Sequence, residues 1–256
     1  MRFIYLLLIT VSLTSCISLK KSSFRKGMKL VWSDEFNYNG LPDSNKWSYE
    51  VGGNGWGNNE LEYYTEKDTL NAIVSQGVLK IIARKQTIEK SLYTSARLFT
   101  KKIFDFKYGR IEVSVKLPKS AGTWPAVWML GNNIDKVGWP SCGEIDIMEH
   151  RGTQLNTVFG ALHYPGRSGG NPNVSTVYIP TATTAFHQYA VEWNENSIQF
   201  FVDNKLFHSV DNNISMPYNQ PFYILLNLAM GGNFGGNVDP LFEMDAMEIE
   251  YIRVFQ

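Results

Sequence analysis

The sequence predicts an all-β fold, a sandwich of jelly-roll type. Two observations carry this. Short strand-like apolar runs recur along the chain with Gly, Asn and Pro turns between them. After the first segment, no stretch has the period of a long amphipathic helix. The length of 256 residues and balanced formal charge suit one large all-β domain or two small ones. No linker and no internal repeat divides the chain, so one domain over 29–256 is the economical reading.

The first residues are expected to lie outside that domain. Met1-Arg2 carries one positive charge, and the apolar stretch at 3–13 is too short to span a bilayer. It ends in Leu13-Thr14-Ser15-Cys16. Small residues before a cysteine resemble the lipobox of bacterial lipoproteins. That resemblance implies a signal peptide over 1–15 and acyl chains on Cys16, anchoring the protein in the bacterial cell envelope, periplasmic or surface-facing. The alternative is an ordinary secretory signal with an incidental Cys. Residues 16–28, basic and Ser-rich, read as a short tether. The other cysteine, Cys142, then has no disulfide partner and reads as a small packing residue.

The strands follow in order. Val78-Leu79-Lys80-Ile81-Ile82 is mostly apolar. Ile111, Val113, Val115 and Leu117 alternate with Glu112, Ser114 and Lys116, which predicts a strand with one wet face. Runs at 126–130, 157–163, 189–193 and 222–228 are further strands. The segment 200–207 reads as a hairpin turning at Asp203-Asn204. A strand at 247–255 closes the chain.

Composition narrows the function. A balanced charge argues against a nucleic-acid partner, because no basic excess exists to neutralise phosphates. Aromatics reach 14 %, with 7 Trp and 13 Tyr. Such rings suit sugar faces, and they equally suit a sandwich core.

The run Gly143-Glu144-Ile145-Asp146-Ile147-Met148-Glu149-His150 is the most informative. Alternation puts Glu144 and Asp146 on one strand face and Glu149 on the other. A β-bulge near Met148 would return Glu149 to the acidic face. Neighbouring acids with split pKa values are how glycosidases obtain an acid and a nucleophile from one residue type. The competing reading is a solvated sheet face with acids beside unrelated bases.

Four further segments weigh on that choice. They are Gly-Gly-Asn-Gly-Trp-Gly-Asn-Asn-Glu-Leu-Glu-Tyr-Tyr at 52–64, Gly-Thr-Trp-Pro-Ala-Val-Trp-Met-Leu at 122–130, Gly-Trp-Pro-Ser-Cys-Gly-Glu-Ile-Asp-Ile-Met-Glu at 138–149, and Leu-Asn-Leu-Ala-Met-Gly-Gly-Asn-Phe-Gly-Gly at 226–236. Together they resemble the laminarinase-like members of glycoside hydrolase family 16, the endo-β-1,3-glucanases. The likeness runs from Leu-Val-Trp-Ser-Asp-Glu-Phe at 30–36 to Tyr-Ile-Arg-Val-Phe at 251–255. It implies two curved antiparallel sheets with a concave substrate cleft and a retaining mechanism. Residues 29–256 are then the catalytic domain. Glu144 matches the nucleophile and Glu149 the acid/base. Asp146, between them, is expected to hydrogen-bond Glu144 and hold it ionised.

The resemblance also implies a monomer acting on β-glucan without a catalytic cofactor. Trp124, Trp128 and Trp139 match cleft aromatics, with sugar stacking and core packing both open. Asn58 and Glu60 lie in a Gly-rich loop and either reach sugar hydroxyls or, for Asn58, supply a positive-φ turn. Arg97 matches a glycone-side position, or is paired with a cleft acid. His163 is expected to neighbour Glu149 across strands, or to be structural. Phe234 stands where the family usually has Trp. Glu35, Gly77 and Glu250 match a structural calcium site, with Glu250 where many relatives have Asp; the extra methylene either preserves or abolishes the site. Alternatives within the family are a mixed-linkage β-glucanase or a galactanase. A non-catalytic glucan-binding protein keeps the aromatics but not the acids.

Overall fold

The computed structural model describes residues 27–256. The expected signal segment, Cys16 and all but the last two tether residues lie outside the described residues.

Two sheets face each other. In the ten-stranded sheet a path runs β15 (Lys205–Asp211), β14 (Ser197–Val202), β13 (His187–Trp193), β8 (Gly109–Lys116), β17 (Met244–Phe255), β5 (Val78–Ile88), β6 (Ser91–Ser95), β3 (Glu62–Tyr64). Off that path, β1 (Leu30–Asp34) pairs with β17, and β4 (Ala72–Ser75) with β5. The seven-stranded sheet runs β12 (Asn173–Tyr178), β11 (Thr157–His163), β10 (Glu144–His150), β9 (Thr123–Gly131), β16 (Phe222–Met230), β7 (Arg97–Phe99), β2 (Ser48–Glu50). The two helices among the described residues, α1 (Ile134–Val137) and α2 (Gly232–Gly235), are single turns.

Alternation builds the core. Ile111, Val113 and Val115 of β8 join Ile249, Ile252 and Val254 of β17 on one side. Val127 and Met129 of β9, Ile145 and Ile147 of β10, and Ile224, Leu226 and Leu228 of β16 answer from the other. Each such side chain contributes roughly 1.5–3 kcal/mol by leaving water. All nine residues of β16 are buried, because its second face, with Tyr223 and Leu225, packs on Leu130 and Cys142 in a smaller cluster. Cys142 is thus a packing residue, and burial pushes its thiol up to about 11.

The turn at Asp203-Asn204 forms as read. Both residues have positive φ, 48° and 62°, and join β14 to β15. The ladder also joins the first and last strands among the described residues, since β1 pairs with β17.

One expectation needs correction. The polar face of β8 is not wet: Glu112 is 0 % exposed and Ser114 is buried. Arg110 on the same face donates to Glu112 (2.5 Å) and, across β13, to Glu192 (2.7 Å). Gln188 bonds Glu112, and the Arg110 guanidinium lies 5.3 Å from the Phe201 ring. Long side chains of the flanking strands cover charges that pair among themselves. Period-2 alternation reports polarity, not exposure.

Candidate active site

A single irregularity in β10 assembles the acids. Glu144 lies opposite Leu130 of β9 and His163 of β11, and Asp146 opposite Trp128 and Ala161. The register then slips, so that Glu149 lies opposite Ala126 and Phe159. Ile147 and Met148 both enter the core, which consumes the extra residue and returns Glu149 to the face of Glu144 and Asp146. Ala126 and Ala161 are small neighbours that leave space above the acids.

An indole holds each glutamate. Trp139 Nε1 donates to Glu144 Oε2 (2.7 Å), and Trp124 Nε1 to Glu149 Oε1 (2.9 Å). Asp146, 3 % exposed, has His163 Nε2 at 3.2 Å from its Oδ2. The same nitrogen is 3.9 Å from Glu144 Oε1. His163 therefore neighbours Glu144 and Asp146 rather than Glu149, whose cross-strand partner is Phe159; the bulge fixes this register. Tyr218 Oη lies 3.1 Å from the His163 carbonyl and 3.4 Å from that of Glu144, pinning the two strands.

The ligand atoms of Glu144, Asp146 and His163 lie within 4.8 Å of one another, close enough for a cation. The imidazole opposes that use. Its Nδ1 accepts the Gly169 N–H (3.2 Å), which leaves the proton on Nε2, the nitrogen facing the acids. A metal-bound imidazole needs the reverse arrangement. The cluster is built for proton sharing.

Burial and then Asp146 push Glu144 up to about 8. Burial pushes Glu149 up to about 7, helped by Glu144 and opposed by the Trp124 indole. Asp146 is raised by burial and then by Glu149, and it hydrogen-bonds Glu144. That bond raises Glu144 and lowers Asp146, so the two carboxyls share a proton between them.

These shifts have a sign for stability. A carboxyl that is more basic folded than unfolded stabilises the fold fully below the unfolded value of 4.5. That contribution is lost as pH rises towards about 8. Glu144→Gln cannot ionise, so we expect it to melt several degrees above wild type at pH 8 and together with it at pH 4. Thermal scans at the two pH values check this, and a gap of equal size at both counts against it.

Beside the acids runs a buried relay. Trp128 Nε1 donates to Asn227 Oδ1 (2.8 Å), Asn227 Nδ2 to Tyr64 Oη (3.0 Å), and Tyr64 Oη to Glu60 Oε2 (2.9 Å). Asn58 Nδ2 takes the other Glu60 oxygen (3.1 Å). Glu60 is thus a buried anchor with both oxygens occupied rather than a free ligand for sugar hydroxyls. Besides its glycines, the positive φ values in this loop fall on Trp56 and Asn59, not Asn58. Glu62 is buried, accepts the Met230 N–H (2.6 Å) and is raised by burial and then by Glu60, with which it shares a hydrogen bond.

Arg97 pairs with Glu50, and its guanidinium lies 4.8 Å from both the Trp56 and Trp128 rings. Trp139 is 46 % exposed, while Trp124 and Trp128 are half-buried; all three face the site through their indole N–H. Trp56 and Asn227 are site residues the sequence reading passed over. Both lie inside motifs it quoted, but nothing local says that Asn227 reaches Tyr64.

The proposed calcium ligands do not fit a cation as they stand. Glu35 is held by Arg253 in a two-point fork (2.9 and 2.7 Å), so its carboxylate is already paired with a guanidinium. Glu250 accepts from Ser114 (2.6 Å) beside an irregularity of β17. Gly77 supplies a positive-φ turn residue between β4 and β5.

Paired carboxyls of raised proton affinity on an open sheet face, each fixed by an indole, define a glycoside hydrolase on a β-sandwich. The chain belongs to glycosyl hydrolases family 16, which residues 56–253 match. It is 43 % identical over 243 residues to a beta-glucanase of Rhodothermus marinus, covering 89 % of this chain and 85 % of that protein. Its fold matches the laminarinase from Rhodothermus marinus with a TM-score of 0.86 at 44 % identity, over 90 % of this chain and 97 % of the other. The laminarinase catalytic domain from Thermotoga maritima MSB8 matches with a TM-score of 0.84 at 42 % identity, over 90 % and 98 %.

Proposed function

We propose that the protein is a monomeric, retaining, endo-acting hydrolase of β-1,3-glucan. The observation that carries this is the bulge in β10, which puts Glu144, Asp146 and Glu149 on one face. Ionised Glu144 attacks the anomeric carbon while Glu149 protonates the departing glycosidic oxygen, giving a glycosyl-enzyme and a shortened chain. Glu149, now ionised, takes a proton from water, whose oxygen displaces Glu144. Passing the shared proton to Asp146 ionises Glu144 for the attack, with His163 Nε2 beside Asp146 at 3.2 Å. The β-1,3 linkage rests on the laminarinases named above, whose fold and sequence this chain shares over nine-tenths of its length.

A product profile tests it. Laminarin is expected to be cut internally into short β-configured oligosaccharides, mixed-linkage glucan more slowly, and cellulose not at all. Protein that ignores laminarin but cuts agarose or another galactan is instead the family's galactanase alternative. Protein that binds laminarin without cutting it is a glucan-binding protein.

A calcium at Glu35, Gly77 and Glu250 does not enter the proposal, since Arg253 and Ser114 hold the two carboxylates. The lipid anchor does. We expect Cys16 to be acylated and the mature protein to partition with envelope membranes, two or three chains giving durable attachment where one is marginal. Replacing Cys16 by Ser is expected to abolish palmitate labelling; equal labelling of both proteins rules the anchor out.

A further inference from the structure

We propose that Arg151, with Phe159 and Phe234, forms the subsite that binds the sugar on the leaving-group side of the scissile bond. This rests on the reading of Glu149 as the acid/base. The leaving sugar departs from the oxygen that Glu149 protonates, so whatever binds it lies on the Glu149 side of the acids.

A continuous platform occupies that side. Trp124, which holds Glu149, has its ring 5.2 Å from Phe234. Phe234 meets Phe159 edge-on at 5.0 Å, and Phe159 is the cross-strand partner of Glu149. The Arg151 guanidinium spans both phenyl rings, 5.1 Å from Phe234 and 5.4 Å from Phe159. Glu144, by contrast, is flanked by Trp139 and His163, whose rings meet at 5.8 Å. All four platform residues are half-buried, so each keeps accessible surface.

The platform is fixed before any sugar arrives. Gly231 N–H bonds the Gly122 carbonyl, Asn233 N–H the Asn58 carbonyl, and Thr153 Oγ1 the Gly235 carbonyl. Three separate segments therefore hold the turn that carries Phe234. Gln154 Oε1 accepts from Arg151 Nε (3.1 Å) and Nη2 (2.5 Å), which orients the guanidinium plane over the rings. Nη1 has no hydrogen-bond partner among the described residues. Rings that stack on a pyranose face, beside a fixed planar donor for its hydroxyls, are the chemistry a neutral sugar needs.

In a retaining enzyme the same subsite receives the acceptor that competes with water for the glycosyl-enzyme. Arg151 therefore sets two quantities, which bond of an oligosaccharide is cut and how often the intermediate is passed to sugar rather than water.

Cleavage of reducing-end-labelled laminarihexaose, with and without added laminaribiose, reads both. Arg151→Ala is expected to move the favoured cut towards the reducing end and to lower the transfer-to-hydrolysis ratio about tenfold. Arg151→Lys, which keeps the charge but loses the plane and its fork, is expected to recover little. Phe234→Trp enlarges the platform and is expected to raise the ratio, a gain that a misfolded variant cannot give. Folded Arg151→Ala with wild-type cut positions and ratio overturns the assignment. Wild-type protein that leaves laminarihexaose intact overturns the glucanase reading and the subsite with it.

Discussion

Glu144→Ala is expected to lower laminarin hydrolysis roughly 10⁴-fold or more, because no other group can form the glycosyl-enzyme. Asp146, the nearest carboxyl, is buried at 3 % exposure and oriented towards His163 and Glu144, not towards an incoming sugar. The substitution vacates a space flanked by Trp139 and His163 that a small anion can enter. Added azide or formate is expected to restore part of the cleavage. The azide product has α configuration, since one displacement inverts the centre. Glu149→Ala leaves the nucleophile in place and removes the proton donor. It is expected to lose polymer hydrolysis while sparing aryl glycosides whose leaving group needs no proton. Near-wild-type hydrolysis of laminarin by either variant would remove that residue from the mechanism.

Arg110→Met is expected to destabilise the fold by about 3–5 kcal/mol, the cost of leaving buried carboxylates without the cation between them. Arg110 is fully buried, bonds Glu112 and Glu192, and also donates to Asn204 (3.0 Å). The methionine fills much of the volume, so the loss reads charge rather than a cavity. This network lies on the outer side of the ten-stranded sheet, while Glu144 and Glu149 project from the seven-stranded one. Activity per folded molecule at moderate temperature is therefore expected to stay at the wild-type level. Denaturant melts at neutral pH measure the effect. A shift below about 1 kcal/mol at neutral pH would show that the network carries little stability.

The features legible in the order of residues are local in origin. Alternation along 111–117 and 157–163, the continuous apolar run of β16 and the Asp203-Asn204 turn each follow from a few adjacent residues. The acidic face was legible for the same reason, since strand period plus one bulge places Glu144, Asp146 and Glu149 without knowledge of any other strand. The short strands β2, β3 and β7 were not legible: three residues carry no period, and their pairing partners supply the order. Which neighbours the acids meet depends on how the strands pack. Register between β10 and β11 set His163 opposite Glu144, within reach of Asp146, and Phe159 opposite Glu149. Contacts over long sequence separations joined Asn227 to Tyr64, Arg253 to Glu35, and Arg110 to Glu192. They made Glu60 an anchor and the polar face of β8 a buried salt-bridge network. Polarity belongs to a residue, whereas burial and the partner of a charge belong to the packing around it.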